Sequence, residues 1–219
     1  MNGRWATVSA TVAALAVALT GCGLAVPVPT FAPAAAPSLL DLAALPVRDR
    51  DPVGYDREAF GTRWADTDHS GCDQRNDVLA RDLDPDTRRP GTHGCIVETG
   101  TLTGPYTGQI VQFQRGRGTS RQVHIDHVVP LADAWRSGAN LWTADARETF
   151  ANDLTNLLAT AGRVNMAKGD RTADEWTPTT PAGQCRYART VVTVKTAYSL
   201  SVSEPERAAL ADTLTGCAA

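Results

Sequence analysis

The spacing of apolar residues changes character several times along this chain. A continuous run of small and apolar residues fills positions 6–19, behind the single basic residue Arg4. Residues 23–49, GLAVPVPTFAPAAAPSLLDLAALPVRD, are then dominated by Pro and Ala without a helical or strand period. EAFGTRW and DVLARDL space their apolar residues as a helix does. CIVETGTL and GQIVQFQRG alternate or run β-branched, and the Gly-Pro-Tyr-Thr-Gly stretch at 104–108 separates them as a turn. RQVHID reads as another strand at the end of that hairpin-like unit, and Pro130 stops it. A short apolar run, NLLAT, starts at Asn156, and a helix is predicted from near Gly162. The spacing predicts two last helices over 184–200 and 203–216, with Ser203 as N-cap and Pro205 and Glu206 in the first turn.

The opening run is too short for a confident transmembrane helix and has the layout of a signal peptide over residues 1–22. Leu19-Thr20-Gly21-Cys22 resembles a lipobox, which makes Cys22 the lipidated first residue of the mature protein; Ala16-Val17-Ala18 offers an ordinary cleavage site instead. The Pro/Ala composition predicts a semi-stiff tether over 23–49. The folded domain is therefore expected over 50–219, long enough for one domain with a real core. The expected location is outside the cytoplasm, lipid-anchored to the outer face of the membrane or secreted. Any membrane contact would be made only through the N-terminal anchor.

The formal net charge is −3, so overall charge does not mark a polyanion binder, and local clusters must supply any attraction for phosphate. Lys168 and Lys195 are the only lysines; the other cations are arginines, which make forked phosphate contacts. With Cys22 set aside, Cys72, Cys95, Cys185 and Cys217 remain. In an exported chain an even number reads as disulfides. Cys185 and Cys217 stand at the start of one predicted helix and the end of the next, where an antiparallel pair brings them together. Cys72 is then left with Cys95. His69, Cys72, His93 and Cys95 also allow a zinc site, though their spacing is not a good finger pattern.

Residues 66–77, DTDHSGCDQRND, can be numbered as an EF-hand-like loop. Asp66, Asp68 and Ser70 take positions one, three and five, Gly71 the sharp turn, and Asp77 the closing position normally held by Glu. A structural Ca²⁺ bracing the Cys72–Cys95 region is one reading. The other is an Asp/Ser-rich turn capping the helix that begins near Asp73.

The chemistry-bearing stretch is VHIDHVVPLADAW at 123–135, where Asp126 and His127 stand side by side at a strand end. Downstream lie Asn156, then Arg163, Asn165 and Lys168 on the predicted helix. Alone, each has an ordinary structural reading: a hydrogen-bonded histidine, a capping asparagine, a solvated helix face. Together, strand–strand–helix with D-H, N-L and N-x-x-K resembles the HNH or His-Me finger nucleases. DHVVPLADAWRSGA, FANDLTNLLAT, RVNMAKGDRTADEWTP and the upstream GCDQRNDVLARDL are similar to the secreted actinobacterial HNH family with the DUF1524 domain, related to the C-terminal domain of the GmrSD restriction enzymes. The likeness spans roughly residues 55–217.

That resemblance implies an α+β fold: a ββα-metal core with additional helices and two disulfides. It implies His127 as general base and Asp126 and Asn165 as oxygen ligands of one divalent cation, Mg²⁺ or Mn²⁺. It implies Asn156 as the brace of the loop after the strand, holding the His127 ring in its working orientation. Lys168, Arg163 and Arg121 would touch phosphate, with Arg115 and Arg117 as further candidates. Asn165 replaces the final His of the HNH pattern. His124 is left out, because residues three apart on a strand face opposite sides. The implied function is an exported, monomeric, metal-dependent endonuclease with little sequence preference, acting on nucleic acid, DNA ahead of RNA. An RNase or other phosphodiesterase with the same site is one alternative, and a non-catalytic, calcium-braced cell-surface binding lipoprotein is the other.

Overall fold

The structure, a computed structural model, describes residues 37, 39–49 and 54–217. Two small antiparallel sheets and seven α-helices make an α+β fold among these residues. One sheet has the order β1 (Leu83–Arg88), β2 (Val97–Thr103), β3 (Ile110–Gln114); the other pairs β4 (Val123–His127) with β5 (Leu157–Ala161). The helices are α1 (Leu39–Ala44), α2 (Gln74–Asp82), α3 (Leu131–Arg136), α4 (Ala144–Ala151), α5 (Gly162–Lys168), α6 (Pro181–Ala197) and α7 (Glu204–Thr215). The sequence-derived Cys22 lipidation site and signal peptide lie outside the described residues.

β5 is buried along its whole length, and its side chains alternate between two hydrophobic clusters. Leu157 and Ala159 join Val78, Leu79, Phe113 and Ile125, beneath α2 and the three-stranded sheet. Leu158 joins Phe150, Val191, Val192 and Leu210, among the helices. The β4–β5 ribbon is thus the wall between two cores. In its register Asp126 stands opposite Leu158 and His127 opposite Leu157. α5 follows β5 without a loop and packs back on β4, giving a ββα unit. Gly162, at the start of α5, permits this approach: a Cβ there would fall 2.2 Å from the Arg121 carbonyl oxygen and 2.9 Å from the His124 ring.

Both disulfides form as expected. Cys72 and Cys95 have Cα atoms 5.2 Å apart, and Cys185 and Cys217, at the ends of the α6–α7 pair, 5.6 Å. Thr180 and Ser203 cap α6 and α7 by accepting from Gly183 and Glu206 amides. The helices are further tied by a buried ionic cluster, in which Lys195 Nζ lies 2.9 Å from Asp133 and 2.8 Å from Glu206.

Several expectations need correcting. The folded unit begins ahead of residue 50: Leu42 and Leu45 are buried against the helices, and Val47 bridges Val202. LLDLAA was hidden in the Pro/Ala composition, yet it carries enough leucine to dock. EAFGTRW is no α-helix; a 3-10 turn at Glu58–Phe60 ends at Gly61, whose φ of 70° stops it. The predicted helical incoming flank of a calcium loop is therefore missing. β4 pairs with β5 rather than extending the β2–β3 hairpin. β1 was not expected, because LDPDTR is polar and holds a proline; it forms as an edge strand with register shifts, where both are tolerated.

Candidate functional site

The end of β4, the turn after it and the end of α5 enclose a cleft of about 390 Å³. Asp126, His127 and Asn165 all line it, together with Tyr55, Arg57, Arg136 and Asp170. Three of the residues singled out in the sequence are therefore brought together, from segments 126–127 and 165. Arg136 is held toward the cleft by Asp170, 2.9 Å away.

His127 is partly buried. Its Nε2 lies 2.8 Å from the Ala151 carbonyl, which can only accept, so Nε2 carries the proton and Nδ1 is the ring's acceptor. Trp64 stacks parallel to the ring, with centroids 6.1 Å apart and planes 14° apart. Burial lowers the His127 pKa to about 4, against the raising effect of the Ala151 contact, with Arg57 and Lys168 adding to the drop. The imidazole is neutral at pH 7 and able to take a proton.

Asn156 is fully buried and grips the loop after β4 from three sides. Its carbonyl accepts from the Val128 amide at 2.8 Å, its Oδ1 from the Val129 amide at 2.8 Å, and its Nδ2 donates to the Val129 carbonyl at 3.1 Å. The side chain therefore stands in for a strand partner at Val129, two residues past the last ladder pair of His127 with Leu157.

Asp126 is only 3 % exposed. Tyr106 donates its hydroxyl to Oδ2 at 2.7 Å, and the Lys168 ammonium donates to Oδ1 at 2.9 Å. Burial raises the carboxyl's pKa, with the Lys168 charge and the Tyr106 hydroxyl pulling it back. Tyr106 comes from the 104–108 turn, and its own pKa is pushed well up by burial and by Asp126. Sequence reasoning missed it, as it missed Tyr55 and Arg57. A tyrosine inside a Gly/Pro turn was the available signal for Tyr106.

Lys168, which the resemblance assigned to phosphate contact, is turned inward instead. It is fully buried, bonded to Asp126 and, at 2.9 Å, to the His127 carbonyl. Positions 165 and 168 share one face of α5, but that face looks onto β4. Arg121 and Arg163 are exposed and line a second groove, beside His124 and Met166, rather than the cleft. Arg115 is absorbed into the scaffold through the Val97 carbonyl and Asn76. His124, set aside in the sequence, touches the site indirectly: Asn165 Nδ2 lies 3.4 Å from its Nδ1.

The 66–77 loop has the hydrogen bonding of a capped turn. Asp66 accepts from the Ser70 and Gly71 amides, Asp68 from the Ser70 amide, and Asp77 from the Ser70 hydroxyl. Asp73 caps α2 through the Asn76 amide at 2.8 Å. Among the described residues no group of three or more His, Cys, Asp or Glu is placed to hold a metal ion.

The cleft does hold the Asp126 carboxylate and the Asn165 amide together. Asp126 and Asn165 offer oxygen donors in one cleft, the set that suits a hard cation retaining most of its water. Each carboxylate oxygen has two acceptor positions, and one hydrogen bond on each leaves room for a ligand bond. The residues fit a divalent cation, with the Lys168 ammonium as a charged neighbour.

No solved structure matches this chain. An uncharacterized secreted protein of Arthroderma benhamiae (strain ATCC MYA-4681 / CBS 112371) is 38% identical over 195 residues, covering 88% of this chain and 90% of that protein. The model of the family described as GmrSD restriction endonucleases, C-terminal domain, matches residues 73–213, which include β4, β5, α5 and every residue of the DH–N–N set. The chain belongs to the GmrSD restriction endonuclease C-terminal domain family, a nuclease family.

Proposed function

We propose that this protein is an exported, metal-dependent endonuclease of the HNH type that hydrolyses phosphodiester bonds in DNA with little sequence preference. The observation that carries the reading is His127: a neutral imidazole, fixed by the Ala151 carbonyl, opens its cleft toward the same space as Asp126 and Asn165.

In this mechanism His127 Nδ1 takes the proton of the attacking water, a task suited to an unprotonated ring. Trp64 and the Ala151 carbonyl restrict the ring to that orientation. Arg57 lines the cleft and is suited to hold phosphate oxygens by a forked contact, and Arg136, its fork engaged by Asp170, adds positive charge beside it. Asn156 keeps the chain after His127 from drifting. Asp126 and Asn165 would hold one divalent cation, Mg²⁺ or Mn²⁺, which when bound supplies charge neutralisation at the phosphate and the leaving oxygen. Arg121 and Arg163, on the neighbouring groove, suit flanking phosphates.

Two disulfides and a relative described as secreted support export, and the LTGC motif supports a lipid on Cys22. The test is plasmid cleavage by the mature protein with Mg²⁺ or Mn²⁺ and with chelator. Metal-dependent nicking is expected; no cleavage of plasmid under any metal condition defeats the proposal.

A further inference from the structure

Both lysines of this chain, Lys168 and Lys195, are fully buried. Lys195 is accounted for by its Asp133–Glu206 cluster. Lys168 is placed where the chemistry is. It ends α5, and its ammonium lies 2.9 Å from Asp126 Oδ1 and 2.9 Å from the His127 carbonyl. It therefore touches both members of the D-H pair, one by side chain and one by backbone.

A carboxylate with 3 % exposure has little water to stabilise its charge, so a positive partner, whether a fixed ammonium or a bound cation, must supply that stabilisation. Tyr106 gives a hydrogen bond but no charge. Lys168 gives the charge. Yet Asp126 is also the carboxylate donor to the cation under the nuclease reading, so one buried carboxylate faces two positive partners.

We propose that Lys168 is the resident counter-ion of Asp126, holding the strand end assembled before metal arrives, and that a divalent cation binds Asp126 in competition with it. This rests on the metal-dependent reading above. An ammonium bonded to Oδ1 repels an incoming dication at short range and occupies one of that oxygen's two acceptor positions. The site is preformed and loosely metal-binding for the same reason.

The test is Mg²⁺ binding by calorimetry to wild type and Lys168→Met, with circular dichroism as folding control. The variant removes the charge and keeps the length. It is expected to bind Mg²⁺ at least about tenfold more tightly, because charges this close interact strongly at a buried site. It should also melt lower without metal and gain more from Mg²⁺ than wild type does. A folded Lys168→Met that binds Mg²⁺ no more tightly than wild type overturns the proposal.

Should the variant not fold, wild type decides alone. Acetylation of Lys168 relative to Lys195, read by peptide mass spectrometry, should rise several-fold at saturating Mg²⁺. An unchanged ratio overturns the proposal. If wild type binds no Mg²⁺ and cuts no plasmid, the nuclease reading falls as well. If wild type binds Mg²⁺ and cuts while these two measurements fail, the counter-ion role falls by itself.

Discussion

The Tyr106 hydroxyl donates to Asp126 at 2.7 Å, joining the turn of one sheet to the strand end of the other. Both residues are buried, so the bond is shielded from water. Tyr106→Phe should cost about 1.5–3 kcal/mol of stability, as for a hydrogen bond to a charged group. Chemical denaturation measures it. A change below the error of that measurement means Asp126 is held without the turn.

His127→Ala should lose on the order of 10²–10⁴ in cleavage rate, the usual worth of a general base. Mg²⁺ binding should persist, since His127 is not among the proposed ligands. Plasmid nicking beside calorimetry checks both. A folded His127→Ala that cuts as fast as wild type removes His127 from the chemistry.

The pH profile follows from the same ring. Its folded pKa, about 4, lies below the ordinary 6.5, so the unfolded chain binds the proton more readily. The stability owed to neutral His127 is complete above about pH 6.5 and is lost as pH falls toward 4. The acid limb of kcat/KM should lie near 4 rather than 6.5. A limb at 6.5 would show a ring far better solvated than this.

Burial makes Asp126→Ala and Asn156→Ala destabilising. Asp126→Ala leaves the Lys168 ammonium unpaired inside the protein, which typically costs 3–5 kcal/mol. Asn156→Ala strips partners from both the Val129 amide and carbonyl, about 1–3 kcal/mol for each group left unsatisfied. Melting curves should show both losses. Asp126→Asn, which keeps the shape, is the cleaner variant for metal titration.

Asp66→Ala should lower Tm by the same amount in calcium and in chelator, because it removes two backbone hydrogen bonds in either condition. A loss seen only in calcium would restore the EF-like ligand set.

Part of the candidate site was legible because the D-H, N-L and N-x-x-K runs carry the family resemblance, and those runs fall at or beside element ends. Asp126 and His127 close a strand, Asn156 stands just before the next, and Asn165 lies on the following helix. The disulfides were legible because two helix ends that must meet leave little choice. Lys168 was misplaced because helical spacing says which residues share a face but not what that face meets. Tyr106, Tyr55 and Arg57 reach the site from distant turns, and only tertiary packing puts them there. β1 escaped because an edge strand can be polar and interrupted by proline.

The clasp that Asn156 forms on Val128 and Val129 has a consequence for evolution and design. It fixes the strand alignment at the point where the chain departs and returns, and a shift by one residue would send Asp126 and His127 to swapped faces. The segment between, which carries α3 and α4, can therefore vary in length without carrying the alignment itself. Relatives should differ there by insertions and deletions while keeping the clasp.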